Sequence, residues 1–243
     1  MCAKLFYEVT PPSKRSTRWE LVNTVEAALV AGASGVDITD SPTGESHSSS
    51  VAASVFVKLT YGAPVICHIR TRDVTRMGLR SLVRACAVWD VDSILFVMGE
   101  GLESTGLTPT GAINLIRSEG LVNGTDVKLG LVVDPRRTTS LERKIAANPD
   151  FIYSAPLVSQ ADVGFIREVS SKIGSEVYAG LIVNSTPNKQ ILSRIGVSQT
   201  FEGLVDWGLI DTLKAIASVL ILMSPADPDS GISVLKEVKT RGI

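Results

Sequence analysis

Eight short, almost wholly apolar runs recur along this chain, each followed by a stretch whose apolar residues repeat with helical period. No other feature of the sequence limits its fold as tightly. The runs are Lys4 to Thr10, Gly35 to Thr39, Pro64 to Ile69, Ser93 to Met98, Lys128 to Val133, Phe151 to Tyr153, Glu176 to Val183 and Val219 to Met223. Ser93 to Val97 and Val219 to Met223 show no polar alternation, which predicts strands covered on both faces, as in a parallel sheet. Between the runs the pattern becomes helical. Trp19 to Ala31 places Leu21, Val25, Ala28 and Leu29 on one face, and Gly32 supplies a left-handed cap. Further helices are expected at Ser49 to Leu59, Arg76 to Trp89, Pro109 to Glu119, Ser140 to Ala147, Ala161 to Ile173, Pro187 to Ile195, Gly208 to Ser218 and Gly231 to Thr240.

No linker is long or polar enough to divide these units, so residues 1–243 are expected to form one domain, a (β/α)8 TIM barrel. The length of 243 residues matches the roughly 250 usual for that fold. The alternative is an open doubly wound sheet. That fold commonly carries a glycine-rich turn after its first strand, where this chain has Pro11-Pro12.

The charge balance narrows the partners. With 24 Lys and Arg against 25 Asp and Glu, nothing favours nucleic acid or an anionic membrane surface. No apolar run reaches the roughly 18 residues of a membrane span, and no basic-then-apolar opening marks secretion, so a cytoplasmic protein is expected. Cys2, Cys67 and Cys86 are far apart and form no CxxC pair; Cys67 and Cys86 read as small core residues. His47 and His68 have no carboxylates at ligand spacing, so no metal site is expected. His47, in a serine-rich loop, reads as a solvated residue.

In a barrel of this kind, chemistry sits at the carboxyl ends of the strands. Glu8 stands inside an apolar strand, where desolvation would raise its pKa and suit it to proton transfer; it could equally be paired with a cation such as Arg70. His68 could donate to a flat heterocycle or a phosphate, or be a core histidine bonded to a carbonyl. Arg70-Thr71-Arg72-Asp73, followed by Arg76 and Arg80, opens a helix at a strand exit, an arrangement that suits anions. Asp73 could instead cap that helix while the arginines face water. Glu142-Arg143-Lys144, taken alone, reads as a charged helix surface. Val51, Val55 and Leu59 form a stripe that either packs on the barrel or serves a homo-oligomer interface.

Several of these segments, in order, resemble the methylenetetrahydrofolate reductases. The opening Phe6-Tyr7-Glu8-Val9-Thr10-Pro11-Pro12 is similar to that family's FE-x-x-PP start. Val36 to Pro42 resembles its second strand and exit loop. His68 to Arg76 resembles its third strand and the helix start after it, and Ile94 to Glu100 its fourth strand. Lys144-Ile145 with Asp150-Phe151-Ile152, and Gly180-Leu181-Ile182, resemble the approaches to the sixth and seventh strands. The resemblance implies an oxidoreductase that reduces a methylene group on a reduced folate or related pterin to a methyl group. FAD would be the cofactor and NAD(P)H an electron donor. Glu8 would be the general acid. Thr39, His68, Gly99, Glu100 and Lys144 would lie along the flavin, and Glu100, Arg70 and Ser154 would meet the substrate. The chain departs from the family pattern at Glu100, where Asp is usual, at Met98, at Arg70 in place of Thr, and at Ala155 in place of a substrate-contacting Gln. A second class of reading is a non-catalytic pterin- or flavin-binding barrel, acting as a subunit of a one-carbon enzyme complex.

Overall fold

Strand β1 (Lys4–Val9) pairs in parallel with β2 (Gly35–Ile38) on one side and with β8 (Val219–Met223) on the other. The second pairing closes the sheet into a barrel of eight parallel strands in sequence order. The remaining strands are β3 (Val65–Arg70), β4 (Ser93–Val97), β5 (Lys128–Val133), β6 (Phe151–Ser154) and β7 (Glu176–Ile182). The structure is a computed structural model and describes residues 3–13, 16–99, 106–194, 196–198 and 201–242. Glu100 and the expected helix end at Ile195 lie outside the described residues.

Each crossover returns through at least one helix. These are α1 (Arg18–Val30), α2 (Ser50–Tyr61), α3 (Arg76–Val88), α4 (Pro109–Ser118), α5 (Leu141–Ala146) and α6 (Gln160–Ile173), then α7 (Thr186–Arg194) and α8 (Trp207–Lys214) before β8, and α9 (Pro228–Thr240). Helix starts follow local chemistry. Thr108 accepts the Gly111 N–H at 3.1 Å with Pro109 at the first helical position, and Asp227 accepts the Ser230 N–H at 3.2 Å. Thr75, not Asp73, caps α3, taking the Gly78 N–H at 3.1 Å; Asp73 is instead ion-paired with Arg70 at 2.7 Å. Among the described residues no helix is long and apolar enough to cross a membrane.

Outward-facing strand residues pack against the helices. Cys67, Ile69 and Phe96 meet Leu79, Val83 and Cys86, so both cysteines are buried core residues with free thiols. Val51 and Val55 pack on the same cluster, while Leu59 at the end of their stripe is exposed. The inward face differs from one end of the barrel to the other. Its amino-terminal part is filled by Phe6, Ile66, Leu95, Phe151 and Tyr178, with the Phe151 and Tyr178 rings stacked 4.2 Å apart. Gly35 and Gly130 leave the space these rings need: a Cβ at either would collide with Phe6 or Phe151. Nearer the carboxyl ends the inward positions of β1, β2, β3 and β6 carry polar groups, while those of β4, β7 and β8 stay apolar.

Candidate active site at the carboxyl mouth

Period-two alternation turns Phe6 and Glu8 to the same inward face of β1. The register sets Glu8 beside Asp37 on β2. Asp37 is fully buried. One of its oxygens faces His68 Nε2 on β3 at 2.7 Å, and the other accepts the hydroxyl of Tyr153 on β6 at 2.7 Å. The His68 and Tyr153 rings meet edge to face, with centroids 5.6 Å apart. Four strands thus contribute to one buried polar cluster.

Its electrostatics follow from its dryness. Glu8 is pushed up to about 8, chiefly by loss of water and next by the Asp37 charge, with His68 acting in the opposite sense. Burial works against charge on His68, but Asp37 and then Glu8 outweigh it and hold the imidazole above its usual value. Burial, followed by the charges of Asp37 and Glu8, drives the Tyr153 phenol well up, so it stays a neutral donor. At pH 7 the cluster therefore contains a largely protonated Glu8 carboxyl beside a histidine that Asp37 holds above its usual value.

Above the cluster a cavity of about 460 Å3 opens at the carboxyl ends of the strands. Glu8, Thr10, Thr39 and His68 form its polar side, and Val97, Ile182, Ile191 and Met223 its apolar side. Asp37 and Tyr153 lie behind this lining. A second cavity of about 390 Å3, bounded by Tyr7, Ser13, Ser16 and Thr24, shares Glu8, Thr10, His47 and Pro225 with the first. A hollow of about 510 Å3 at the opposite mouth has another character: two of its lysines are ion-paired, Lys58 with Asp92 at 2.8 Å and Lys128 with Glu176 at 2.5 Å. That is the barrel end where conserved chemistry is not expected.

The fold has a solved counterpart. An uncharacterized protein from Clostridium thermocellum, which binds two copies of 5-methyl-5,6,7,8-tetrahydrofolic acid, matches with a TM-score of 0.71 over 99% of this chain and 96% of that one. The two share 17% sequence identity, so the likeness is one of fold. No protein-family model and no curated protein matches this chain.

The residues singled out from the sequence divide into two groups. Glu8, Thr39, His68 and Gly99 converge on the cavity, with the Thr39 hydroxyl donating to that of Thr10 at 3.3 Å. Arg70, Ser154 and Lys144 do not line it. Arg70 binds Asp73 through Nε and Nη2, both at 2.7 Å, and donates from Nη1 to the Ser41 carbonyl at 2.8 Å, while its N–H goes to Asp40 at 2.9 Å. It ties the exits of β2 and β3 together and makes no ion pair with Glu8. A Cβ on Gly99, whose φ is +79°, would collide with that guanidinium, so this glycine accommodates Arg70. The buried Ser154 hydroxyl accepts the Gly180 N–H at 2.8 Å and joins β6 to β7. Lys144 is half-buried on α5; burial lowers its pKa, and Asp134 partly offsets this. Arg80, from the same basic run as Arg70, pairs with Glu119 at 2.5 Å.

Three site residues escaped sequence reasoning. Asp37 sits in an apolar strand just as Glu8 does, and the same test would have found it. Tyr153 gave no such signal, because an aromatic in a buried strand is ordinary core. His47, expected to be merely solvated, is half-buried at the boundary of the two cavities, with Nδ1 2.9 Å from the Glu45 carbonyl oxygen. Among the described residues no group of three or more His, Cys, Asp or Glu is placed to hold a metal.

Proposed function

We propose that the carboxyl mouth binds a reduced pterin carrying a one-carbon unit, and that the protein reduces a methylene-tetrahydropterin to its methyl form with Glu8 as the general acid. The observation that carries this reading is a carboxyl group that keeps its proton at neutral pH on the polar side of a cavity sized for one small ligand. An acid of that pKa is well placed for proton transfer near pH 7. The likeness to a barrel that binds a methylated tetrahydrofolate supports the choice of ligand.

The chemistry asks for two events. The bond from the bridging methylene carbon to the arylamine nitrogen outside the pterin ring breaks as that nitrogen takes the Glu8 proton, which leaves the carbon as an iminium on the ring nitrogen. The resulting iminium carbon then accepts a hydride and becomes the methyl group. Glu8 ends as a carboxylate and regains its proton from solvent. The apolar side formed by Val97, Ile182 and Met223 would exclude water from the electrophilic carbon and hold the ring flat.

The hydride source is proposed from the family resemblance. A bound FAD, once reduced by NAD(P)H, would supply the hydride. Thr39 and Gly99 would meet one edge of a flavin ring from the cavity rim, which leaves His68 to the pterin. Lys144 stands away from that edge.

A pterin-binding barrel without catalysis, alone or as a subunit of a one-carbon complex, is the second reading. It is favoured by the positions of Arg70 and Ser154, whose side chains are engaged in holding strands and loops together. The two readings separate on purified protein. A reductase has a flavin spectrum bleached by NAD(P)H and converts methylenetetrahydrofolate to the methyl form, and Glu8→Gln abolishes turnover while methyltetrahydrofolate still binds. A wild-type chain that binds the methyl form and turns nothing over is a binding barrel. Failure to bind any reduced pterin would end both readings.

A further inference from the structure

We propose that Asp37 is the positioning residue of this site: held by Tyr153 and His68 behind the cavity lining, it turns Glu8 and His68 into a pair of hydrogen-bond donors that select a ligand edge with two acceptors. The choice of a reduced pterin as that ligand, through a ring nitrogen and the ring carbonyl, rests on the function proposed above.

The geometry leads there in three steps. First, Asp37 on β2 and Glu8 on β1 lie side by side in register, both turned inward, with Asp37 fully buried and Glu8 half-buried at the cavity wall. Two carboxylates so placed cannot both carry charge cheaply. The one with more hydrogen-bond donors keeps the charge and the other keeps the proton. Asp37 has two donors, Tyr153 Oη and His68 Nε2, each at 2.7 Å, whereas no hydrogen bond among the described residues reaches the Glu8 carboxyl. Second, the bond from Nε2 to Asp37 fixes the imidazole so that Nδ1 is its remaining nitrogen, and His68 lines the cavity. An imidazole that donates from Nε2 and also carries a proton on Nδ1 presents that proton to a ligand. Third, Tyr153 touches the cluster only through Asp37 and the edge of the His68 ring. It sets the position of the carboxylate without facing the ligand.

The groups facing Glu8 are few enough to name. Asp37 comes from β2, His68 from β3 and Tyr153 from β6; Tyr7 adjoins it on its own strand, Asp40, Glu45 and His47 face the first cavity from the exit of β2 and the loop after it, and Glu20 on α1 lines the second cavity. Asp37 is the charge nearest to both floor groups in register and in hydrogen bonding.

The test uses the ligand-free full chain with 13C-labelled glutamate carboxyls and 15N-labelled histidine, titrated by NMR. Asp37→Asn keeps the shape and removes the charge. The Glu8 and His68 midpoints should both fall, by about one unit or more. Should Asp37→Asn fail to fold, Tyr153→Phe removes one donor that holds the charge on Asp37 and should lower the Glu8 midpoint by a smaller amount. Midpoints that stay in place in the variant that folds overturn the proposal. Binding of 5-methyltetrahydrofolate, followed by pterin fluorescence at pH 7, tests the selection of acceptors. Asp37→Asn should weaken binding about tenfold or more, as expected for disrupted buried donors. Unchanged binding overturns that part. If the midpoints move as expected but the wild-type chain binds no reduced pterin, the role of Asp37 stands and the pterin reading falls.

Discussion

The barrel interior has two halves built from the same strands, and they obey opposite rules. In the amino-terminal half, Phe6, Phe151 and Tyr178 fill the space that Gly35 and Gly130 leave open, and apolar contact holds the strands together. Two residues further along β1, β3 and β6, the inward positions are Glu8, His68 and Tyr153, joined by Asp37 from β2. The first half is a packed core whose worth lies in stability. The second keeps a proton on a desolvated carboxyl at a cost in stability, as sites built for chemistry commonly do. A scaffold that is rigid below allows an unfavourable arrangement above.

Substitutions in the two halves should therefore separate activity from stability. The largest expected effect is on turnover. On the function proposed above, Glu8→Gln should reduce the rate of methylene-tetrahydropterin reduction by about 10²- to 10⁴-fold, the usual span for losing a general acid, with little change in methyl-pterin affinity. Steady-state kinetics and a binding titration check both; a variant that keeps wild-type turnover would remove Glu8 from the chemistry. Phe151→Ala should do the reverse, costing about 3–5 kcal/mol in denaturant unfolding through the cavity it leaves in the plug.

The third expectation concerns pH. The folded Glu8 carboxyl sits at about 8, above its ordinary 4.5, so the native state binds that proton more tightly than the unfolded chain does. The fold then loses stability as pH rises from about 4.5 to about 8, and the loss is complete above that. Glu8→Gln carries no such charge. Its stability relative to wild type should grow by about 2 kcal/mol between pH 5 and pH 9, a value set below the full linkage because the unfavourable charge can relax toward water. Equal stability differences at the two pH values would mean that the upper half is not strained by this carboxyl. The smallest effect is expected for Tyr153→Phe, about 1.5 kcal/mol for one hydrogen bond to a buried carboxylate, since the ring keeps its packing. Thermal unfolding of the same variants measures it.

Much of the fold was legible before any coordinates. All eight strands and the helices between them lie within a few residues of where the hydrophobic pattern places them, and β5 and β8 coincide with it at both ends. Period and chain punctuation are local properties, carried by Gly32, Pro11-Pro12 and Gly62-Ala63-Pro64. The site was legible in part. Glu8, Thr39 and His68 announce themselves as polar residues near the carboxyl ends of apolar strands, and the barrel brings them together. Arg70 looked equally suited to a ligand, but its guanidinium has Asp73 and Ser41 within reach and closes the rim instead.

The sequence by itself determined the order of eight strand–helix units, the covered faces of the strands and the carboxyl-end position of Glu8, because each depends on spacing along the chain. Only the tertiary structure decided that Asp37 stands beside Glu8 and that Tyr153, 116 residues from Asp37, reaches across to it. Those contacts depend on how eight strands stagger when the sheet closes, and no local pattern encodes that stagger.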